Sequence, residues 1–182
     1  DNMRKKTIIV VVLFLILFVA LIWYRQEVRR YVIENHAEAV EFAIEDVLNS
    51  DIDIHKMTEL DNKIFFLFAF QNGTIGSGEL SRGLNGKYKL EYVGHGTGWI
   101  RERVVETNKR TYLMLAGRNM KGIGVIEAWI EDEKYSIEIP EGEYYLVLTP
   151  VRETSLEFTS GMIFYDRNGN EIERIKLQNK ED

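Results

Sequence analysis

The sequence predicts a mainly β domain, an antiparallel β-sandwich or barrel-like fold, preceded by a transmembrane helix and a membrane-proximal amphipathic helix. Three observations predict this arrangement. Residues 8–23 are all apolar, all 14 glycines lie at or after Gly73, and short stretches from Lys63 onward alternate apolar and polar residues. An unbroken apolar stretch is typical of a membrane span, and alternation with a period of two is typical of β-strands.

The transmembrane helix is predicted over residues 7–24, after a short basic tail over residues 1–6. Its length of about 27 Å is close to the hydrocarbon thickness of a bilayer. A cleaved signal peptide would have a shorter apolar core followed by small residues, and a buried core helix is the other alternative. The residues that follow are instead aromatic and basic, as at a membrane–water interface, so we expect a retained single-pass anchor. The candidate membrane-interface residues are Trp23, Tyr24, Arg25, Arg29 and Arg30.

The orientation of the anchor is not decided by charge, because three Lys or Arg lie near each end of the span. Long domains are translocated largely regardless of charge, whereas a tiny tail with three cations resists crossing. We therefore expect a cytoplasmic N-terminus and an extracytoplasmic C-terminal domain at the cell membrane.

A membrane-proximal helix is predicted over residues 25–50, because residues 26–48 contain no glycine or proline. Its apolar residues follow the spacing of one helical face. Two interpretations stay open: the face packs on the following domain, or it meets a helix of another protein. In the second interpretation the candidate partner-binding residues are Val40, Ala43, Ile44 and Val47.

The β-rich domain is predicted over residues 63–177, between a linker over 51–62 and a polar tail over 178–182. KIFFLFAF (63–70) is almost continuously apolar, as expected of a central strand covered on both faces. About ten short strands, separated by Gly, Asn or Pro turns, indicate a sandwich or barrel. The other predicted strands are KYKLEYV (87–93), WIRERVV (99–105), TYLMLA (111–116), VIEAWIE (125–131), KYSIEI (134–139), EYYLVLT (143–149) and MIFYD (162–166).

Two acidic stretches have a spacing that could suit metal ligands. Asp166, Asn168 and Asn170 have the spacing that begins a calcium loop, but Glu171 stands where that loop needs glycine. Asn168-Gly169 instead predicts a tight hairpin turn, in which both central residues take positive φ. On an extended segment Asp51, Asp53 and His55 would share one face and form a conceivable metal site, although a half-buried strand or a linker gives the same pattern.

The glycine-rich stretches GTIGSG (73–78) and GHGTGW (94–99) lack the lysine and following helix of a phosphate-binding loop. We expect both to be turns or bulges in a sheet. No G-x-S-x-G elbow is present. Pairs of carboxylates are too common in a chain with 29 Asp and Glu to identify a catalytic pair. We therefore predict no catalytic residue, no cofactor and no metal.

Charge and cysteine content exclude several classes of function. Residues 1–30 carry a balance of +4, which leaves −10 for the rest of a chain whose net charge is −6. A domain this acidic does not favour nucleic acid, because phosphate contacts need clustered cations. The chain has no cysteine, which excludes disulfides, thiolate metal sites and cysteine nucleophiles.

Two segments of the chain resemble small single-pass proteins of low-GC Gram-positive bacteria: GELSRGLNGKYKLEYVGHG (78–96) and KYSIEIPEGEYYLVLTPV (134–151) together with FYDRNGNEI (164–172). Those proteins carry a short basic N-terminus, one anchor and a β-rich domain. The resemblance implies a location in the envelope of such a bacterium and transfers no catalytic residue.

The function that we expect is that of a membrane-anchored extracytoplasmic interaction module. It would act as a partner or accessory subunit of another envelope protein, with the lipid bilayer as its second partner. The alternatives are a ligand-binding or sensing domain and a cell-surface hydrolase. An exposed apolar patch beside the anchor would favour the interaction module, and a closed aromatic cavity would favour ligand binding.

Overall fold

The computed structural model describes residues 2–176, so the predicted polar tail at 178–182 lies outside the described residues. The protein is mainly β, with an apolar N-terminal helix and a second short helix, as the sequence predicts. The helices are α1 (Asn2–Val28) and α2 (Ala37–Leu48). The strands are β1 (Ile52–Leu60), β2 (Lys63–Phe70), β3 (Ile75–Arg82), β4 (Tyr88–Gly96), β5 (Ile100–Glu106), β6 (Thr111–Arg118), β7 (Ile123–Ile130), β8 (Glu133–Glu138), β9 (Tyr144–Pro150), β10 (Gly161–Asp166) and β11 (Glu171–Lys176).

Helix α1 is long and apolar enough to cross a membrane, and none of its apolar window is buried inside the protein. A signal sequence would share these properties. The helix is longer than the predicted span, because it begins at Asn2 and continues to Val28.

The predicted helix over 25–50 is interrupted between α1 and α2. Residues 31–33 are Tyr-Val-Ile, which favour extended structure, and Ile33 forms an isolated antiparallel bridge with Tyr88. The chain turns back into a helix at His36, whose Nδ1 accepts the backbone N–H of Ala39 at 3.2 Å. A tertiary contact therefore overrides the continuous helical pattern.

Three antiparallel sheets follow, which we call the first sheet (β1-β2-β3-β4), the middle sheet (β5-β6-β9) and the third sheet (β11-β10-β7-β8). Within residues 2–176 none of them closes into a barrel, so the barrel-like alternative does not apply. Helix α2 packs on one face of the first sheet, and the middle sheet packs on its other face. The third sheet then covers the far face of the middle sheet. The result is four stacked layers.

Strand β2 shows why this layering needs apolar residues without interruption. Ile64, Phe66 and Phe68 belong to the cluster beneath α2, whereas Phe65 and Leu67 pack toward the middle sheet. All five residues are fully buried. The prediction that KIFFLFAF is a strand covered on both faces is confirmed.

The predicted linker over 51–62 contains strand β1 and its turn to β2. An irregularity in the β1–β2 register between Ile54 and Lys56 leaves His55 as an extra, bulged residue. A bulge shifts the alternation of faces by one residue, and this obscures the strand pattern in the sequence.

The stretch GTIGSG is partly strand rather than turn, because β3 begins at Ile75. A Cβ on Gly76 would lie 2.1 Å from Cζ of Phe68, and one on Gly78 would lie 2.4 Å from Cζ of Phe66. These glycines leave room for two buried aromatic rings on the neighbouring strand. Packing against β2 is therefore the physical reason for glycine here.

The hairpin between β10 and β11 is confirmed, but its turn differs from the prediction. Gly169 has a φ of +83°, whereas Asn168 is not in the positive-φ region. The Gly169 N–H donates to the Asp166 carbonyl at 3.1 Å. The Asp166 carboxylate accepts the backbone N–H groups of Asn168 and Asn170, both at 2.8 Å, so it stabilises the turn.

Candidate interaction groove

An apolar groove of about 900 Å³ lies between α2, the segment over residues 30–34 and the start of β4. We call it the α2 groove. Its apolar lining is Val32, Ile33, Ala39, Phe42, Ala43, Val47 and Leu90. Its charged or titratable lining is Arg30, Glu34, His36, Glu38, Asp46 and Lys89.

The wall nearest α1 is held by backbone hydrogen bonds to β4. The N–H groups of Val32 and Ile33 donate to the Tyr88 carbonyl at 3.1 and 2.9 Å, and the Tyr88 N–H donates to the Ile33 carbonyl at 2.8 Å. The Asn85 amide donates to the Tyr31 carbonyl at 2.9 Å. Because α1 ends at Val28, the groove begins within a few residues of the end of that helix.

The opposite wall is α2, which is fixed by burial and by two carboxylates. Val40 and Ile44 are fully buried against the first sheet. The Glu41 carboxylate accepts the backbone N–H of Ile54 at 2.9 Å, and Glu45 accepts that of Ile52 at 3.1 Å. These N–H groups belong to β1, which is an edge strand. The two carboxylates of α2 therefore satisfy backbone donors that could otherwise pair with a strand of another chain.

The groove exposes large apolar side chains to solvent. Phe42 is 74% exposed, Val32 is 64% exposed and Val47 is 58% exposed. Single exposed apolar residues are ordinary, but three around one groove form a surface of the kind that marks an interaction site. Complete burial of one such side chain is worth about 1.5–3 kcal/mol.

The charges around the groove are unevenly paired. Lys87 Nζ lies 3.0 Å from the Glu34 carboxylate and lowers its pKa through a hydrogen bond. Lys89 Nζ lies 3.1 Å from the Glu91 carboxylate, a contact that raises the pKa of Lys89.

Three charged groups on the groove's rim remain: Arg30 on the wall nearest α1, and Glu38 and Asp46 on the opposite wall. Neither Glu38 nor Asp46, both on α2, has an ion-pair or hydrogen-bond partner among the described residues. They leave the α2 side of the groove with uncompensated negative charge.

The predicted site residues fall into different environments. Trp23 and Tyr24 are exposed on the last turns of α1, and Arg25, Arg29 and Arg30 are exposed as well. Of this set, Arg30 lines the α2 groove.

The four candidate partner-binding residues are divided. Ala43 and Val47 line the groove, whereas Val40 and Ile44 have no exposed surface and pack on the protein's own domain. The first of the two interpretations of this apolar face therefore describes Val40 and Ile44.

Sequence reasoning missed Phe42 and Val32, the two most exposed apolar residues of the groove. The signal for Phe42 was present, because an aromatic residue stands between acidic residues on the polar side of an amphipathic helix. Val32 carried no such signal, since its exposure follows from the bridge that Ile33 makes with Tyr88.

The conceivable metal site at Asp51, Asp53 and His55 does not assemble. The part of the chain that the structure describes contains no group of three His, Cys, Asp or Glu side chains that could hold a metal ion. The bulge turns His55 toward the middle sheet, where its ring stacks on Tyr144 with centroids 3.8 Å apart.

Compared with known proteins, the chain matches no family model, no curated protein and no solved structure.

Proposed function

We propose that this protein is a membrane-anchored extracytoplasmic interaction module, a partner or accessory subunit of another membrane protein. In this proposal α1 is a retained anchor, the N-terminus is cytoplasmic, and the α2 groove binds an apolar segment of the partner. The observation that carries the proposal is the exposed apolar groove that begins directly after a helix of membrane-spanning length.

The anchor makes a small apolar contact sufficient for binding. A single span confines the domain to a plane and raises its effective concentration near other membrane proteins. Arg25, Arg29 and Arg30 stand where anionic headgroups would lie, and each is worth about 1 kcal/mol near such a surface. The resemblance of 78–96 and 134–151 to single-pass proteins of low-GC Gram-positive bacteria supports the same location.

Charge favours a partner protein over two other occupants of the groove. Anionic headgroups would meet Arg30 on the wall nearest α1, but on the α2 wall they would meet the unpaired carboxylates of Glu38 and Asp46, which repel them. A second copy of this chain would bring the same acids against each other, and like charges in an interface cost affinity. A partner that carries apolar and cationic side chains meets neither difficulty.

Photo-crosslinking tests the proposal. A photo-crosslinking residue is placed at position 42 of the full-length protein, in the cells that produce it. We expect a crosslink to a membrane protein, and none to that protein from position 120, because Met120 is equally exposed but lies on the β6–β7 loop. Crosslinks to lipid alone, to a second copy alone, or equally from both positions would overturn the proposal.

The same partner gives a quantitative test. Phe42→Ser should weaken its co-purification at least tenfold, since the lost burial of about 1.5–3 kcal/mol exceeds the 1.4 kcal/mol that tenfold requires. Met120→Ser is the matched control and should leave co-purification unchanged. Thermal melting of both variants should match the wild type, because neither side chain is in the core.

The orientation has its own test. Protease added to intact protoplasts should digest the region after residue 30. Protection of this region until the membrane is lysed would show the reverse orientation.

A further inference from the structure

We infer that the partner segment which fills the α2 groove is a basic amphipathic helix, with an apolar face against Phe42 and cationic side chains against Glu38 and Asp46. The inference rests on the proposed function and specifies the chemistry of its partner.

Three exposed residues form a stripe along α2. Glu38, Phe42 and Asp46 are spaced by four residues, so they follow one another along a single face of the helix. The stripe is about 12 Å long and places an apolar anchor between two acids. A helix with Lys or Arg about one turn on either side of an apolar pair is complementary to it.

These two acids have no hydrogen-bond or ion-pair partner within the described chain, although Glu38 lies in the first turn of α2, where a carboxylate favours the helix dipole. The other two acids near the middle of α2, Glu41 and Glu45, accept backbone N–H groups of β1. Glu38 and Asp46 are exposed and have no partner among residues 2–176. Their charge is therefore free to pair with an incoming cation.

The groove suits a helical occupant better than an extended peptide. An extended peptide would bind by adding a strand to the free edge of β4, which needs unpaired backbone groups beside the groove. The first residue of that edge, Tyr88, is already paired with Ile33, so an added strand could begin only farther along β4. A helix needs no backbone partners, and apolar anchors one turn apart suit a groove that runs along another helix.

The net charge of the domain also favours a basic occupant. The chain beyond residue 30 has a net charge of −10, since residues 1–30 carry +4 of a total of −6. Such a domain attracts basic segments and accelerates their encounter.

Two synthetic 18-residue peptides test the inference on full-length protein in nanodiscs of neutral phosphatidylcholine. Both are amphipathic helices with the same leucine face, and the polar face is lysine in one and glutamate in the other. We expect the lysine peptide to bind at least tenfold more tightly. Glu38→Gln with Asp46→Asn should weaken its binding at least fivefold, and Glu38→Lys with Asp46→Lys should reverse the preference.

The matched control is Glu106→Gln with Asp132→Asn, which changes the net charge equally at exposed acids outside the groove. It should leave the binding of the lysine peptide within twofold. An equal loss in this control, or no preference between the peptides, would overturn the inference. If Phe42→Ser weakens both peptides while the charges have no effect, the basic helix is wrong and the proposed function stands. If Phe42→Ser changes the binding of neither peptide, both the basic-helix inference and the proposed function are wrong.

Discussion

Ile33 and Tyr88 exchange two backbone hydrogen bonds, of 2.9 and 2.8 Å, and both residues are buried. This pair, together with the hydrogen bond from the Val32 N–H to the Tyr88 carbonyl, attaches the segment after α1 to the edge of the first sheet. Glu59 supports it, because its carboxylate accepts the Tyr88 hydroxyl at 2.7 Å. The end of α1 is thereby joined to the domain by a short, hydrogen-bonded connection rather than by a free linker.

The ionisation of Tyr88 should therefore affect stability at high pH. Burial, together with the Glu59 carboxylate, raises the pKa of Tyr88 from 10.0 to about 12. A raised pKa means that the folded state holds the proton more tightly, so this contribution is complete below pH 10 and is lost as the pH rises toward 12. Thermal melting of full-length protein in detergent micelles at pH 9, 10 and 11 measures the loss.

Tyr88→Phe is the control for this prediction, because it removes the ionisable hydroxyl and keeps the ring. The variant should be less stable at pH 9, where the hydrogen bond to Glu59 is lost, and its deficit should shrink by pH 11. A deficit that stays constant over this range would contradict the assignment.

The carboxylates that satisfy the edge of β1 should contribute measurably to stability. Glu41→Ala with Glu45→Ala removes the acceptors of the Ile54 and Ile52 N–H groups, at about 1 kcal/mol each. We expect the free energy of unfolding to fall by about 2 kcal/mol in thermal or urea denaturation. Asp46→Ala on the same helix lacks such a contact and should cause no loss; equal losses would show that helix content, not edge satisfaction, is responsible.

Gly76 should tolerate no side chain, because the Cβ of an alanine would lie 2.1 Å from the ring of the fully buried Phe68. Gly76→Ala should cost about 2–3 kcal/mol of unfolding free energy, as overpacked cores do. Gly98→Ala is the control, since its nearest non-local atom is 3.5 Å away. Adding Phe68→Leu to Gly76→Ala should restore part of the stability, and no recovery would place the strain elsewhere.

The sequence predicts best those elements whose burial is symmetrical. β2 is covered on both faces, so its residues must all be apolar, and the same holds for the TYLMLA part of β6. β1 was assigned to a linker, with a half-buried strand as the open alternative, because one face meets α2, the other is largely exposed, and the bulge at His55 interrupts the alternation. Hydrophobic periodicity reflects which face of a strand is buried. A bulged strand with mixed exposure therefore has only a weak periodic pattern in its sequence.

The candidate site was predictable only in part, for a different reason. The apolar face of α2 shows that something covers Val40 and Ile44 but not whether the cover is the protein's own sheet. Only the fold decides that question. The groove itself joins residues from three separated segments, including Val32, Phe42 and Leu90, and no local pattern connects them.

Glu102 is a charged residue that also escaped the sequence pattern, because it occupies a core-facing position of β5. It lies between Ile100 and Val104, both of which pack in the cluster between the middle and third sheets. Its carboxylate accepts the hydroxyl of the buried Thr159 at 2.5 Å. Burial raises the pKa of Glu102, and the hydrogen bonds from Thr159 offset only part of this effect.

Replacing Glu102 by glutamine should therefore stabilise the protein at neutral pH. A raised pKa means that stability is greatest with the carboxyl protonated and falls as the pH rises through the unfolded value of 4.5 toward the folded one. Glu102→Gln keeps an oxygen that accepts the Thr159 hydroxyl and has no charge to bury. Full-length protein in detergent micelles should melt at a higher temperature at pH 7 when it carries this substitution, and the two proteins should melt together below pH 4.5.

Glu106→Gln, on the same strand but exposed, should show no pH-dependent difference. A gain for Glu102→Gln that is the same at both pH values would mean that packing, and not the ionisation of Glu102, produces it.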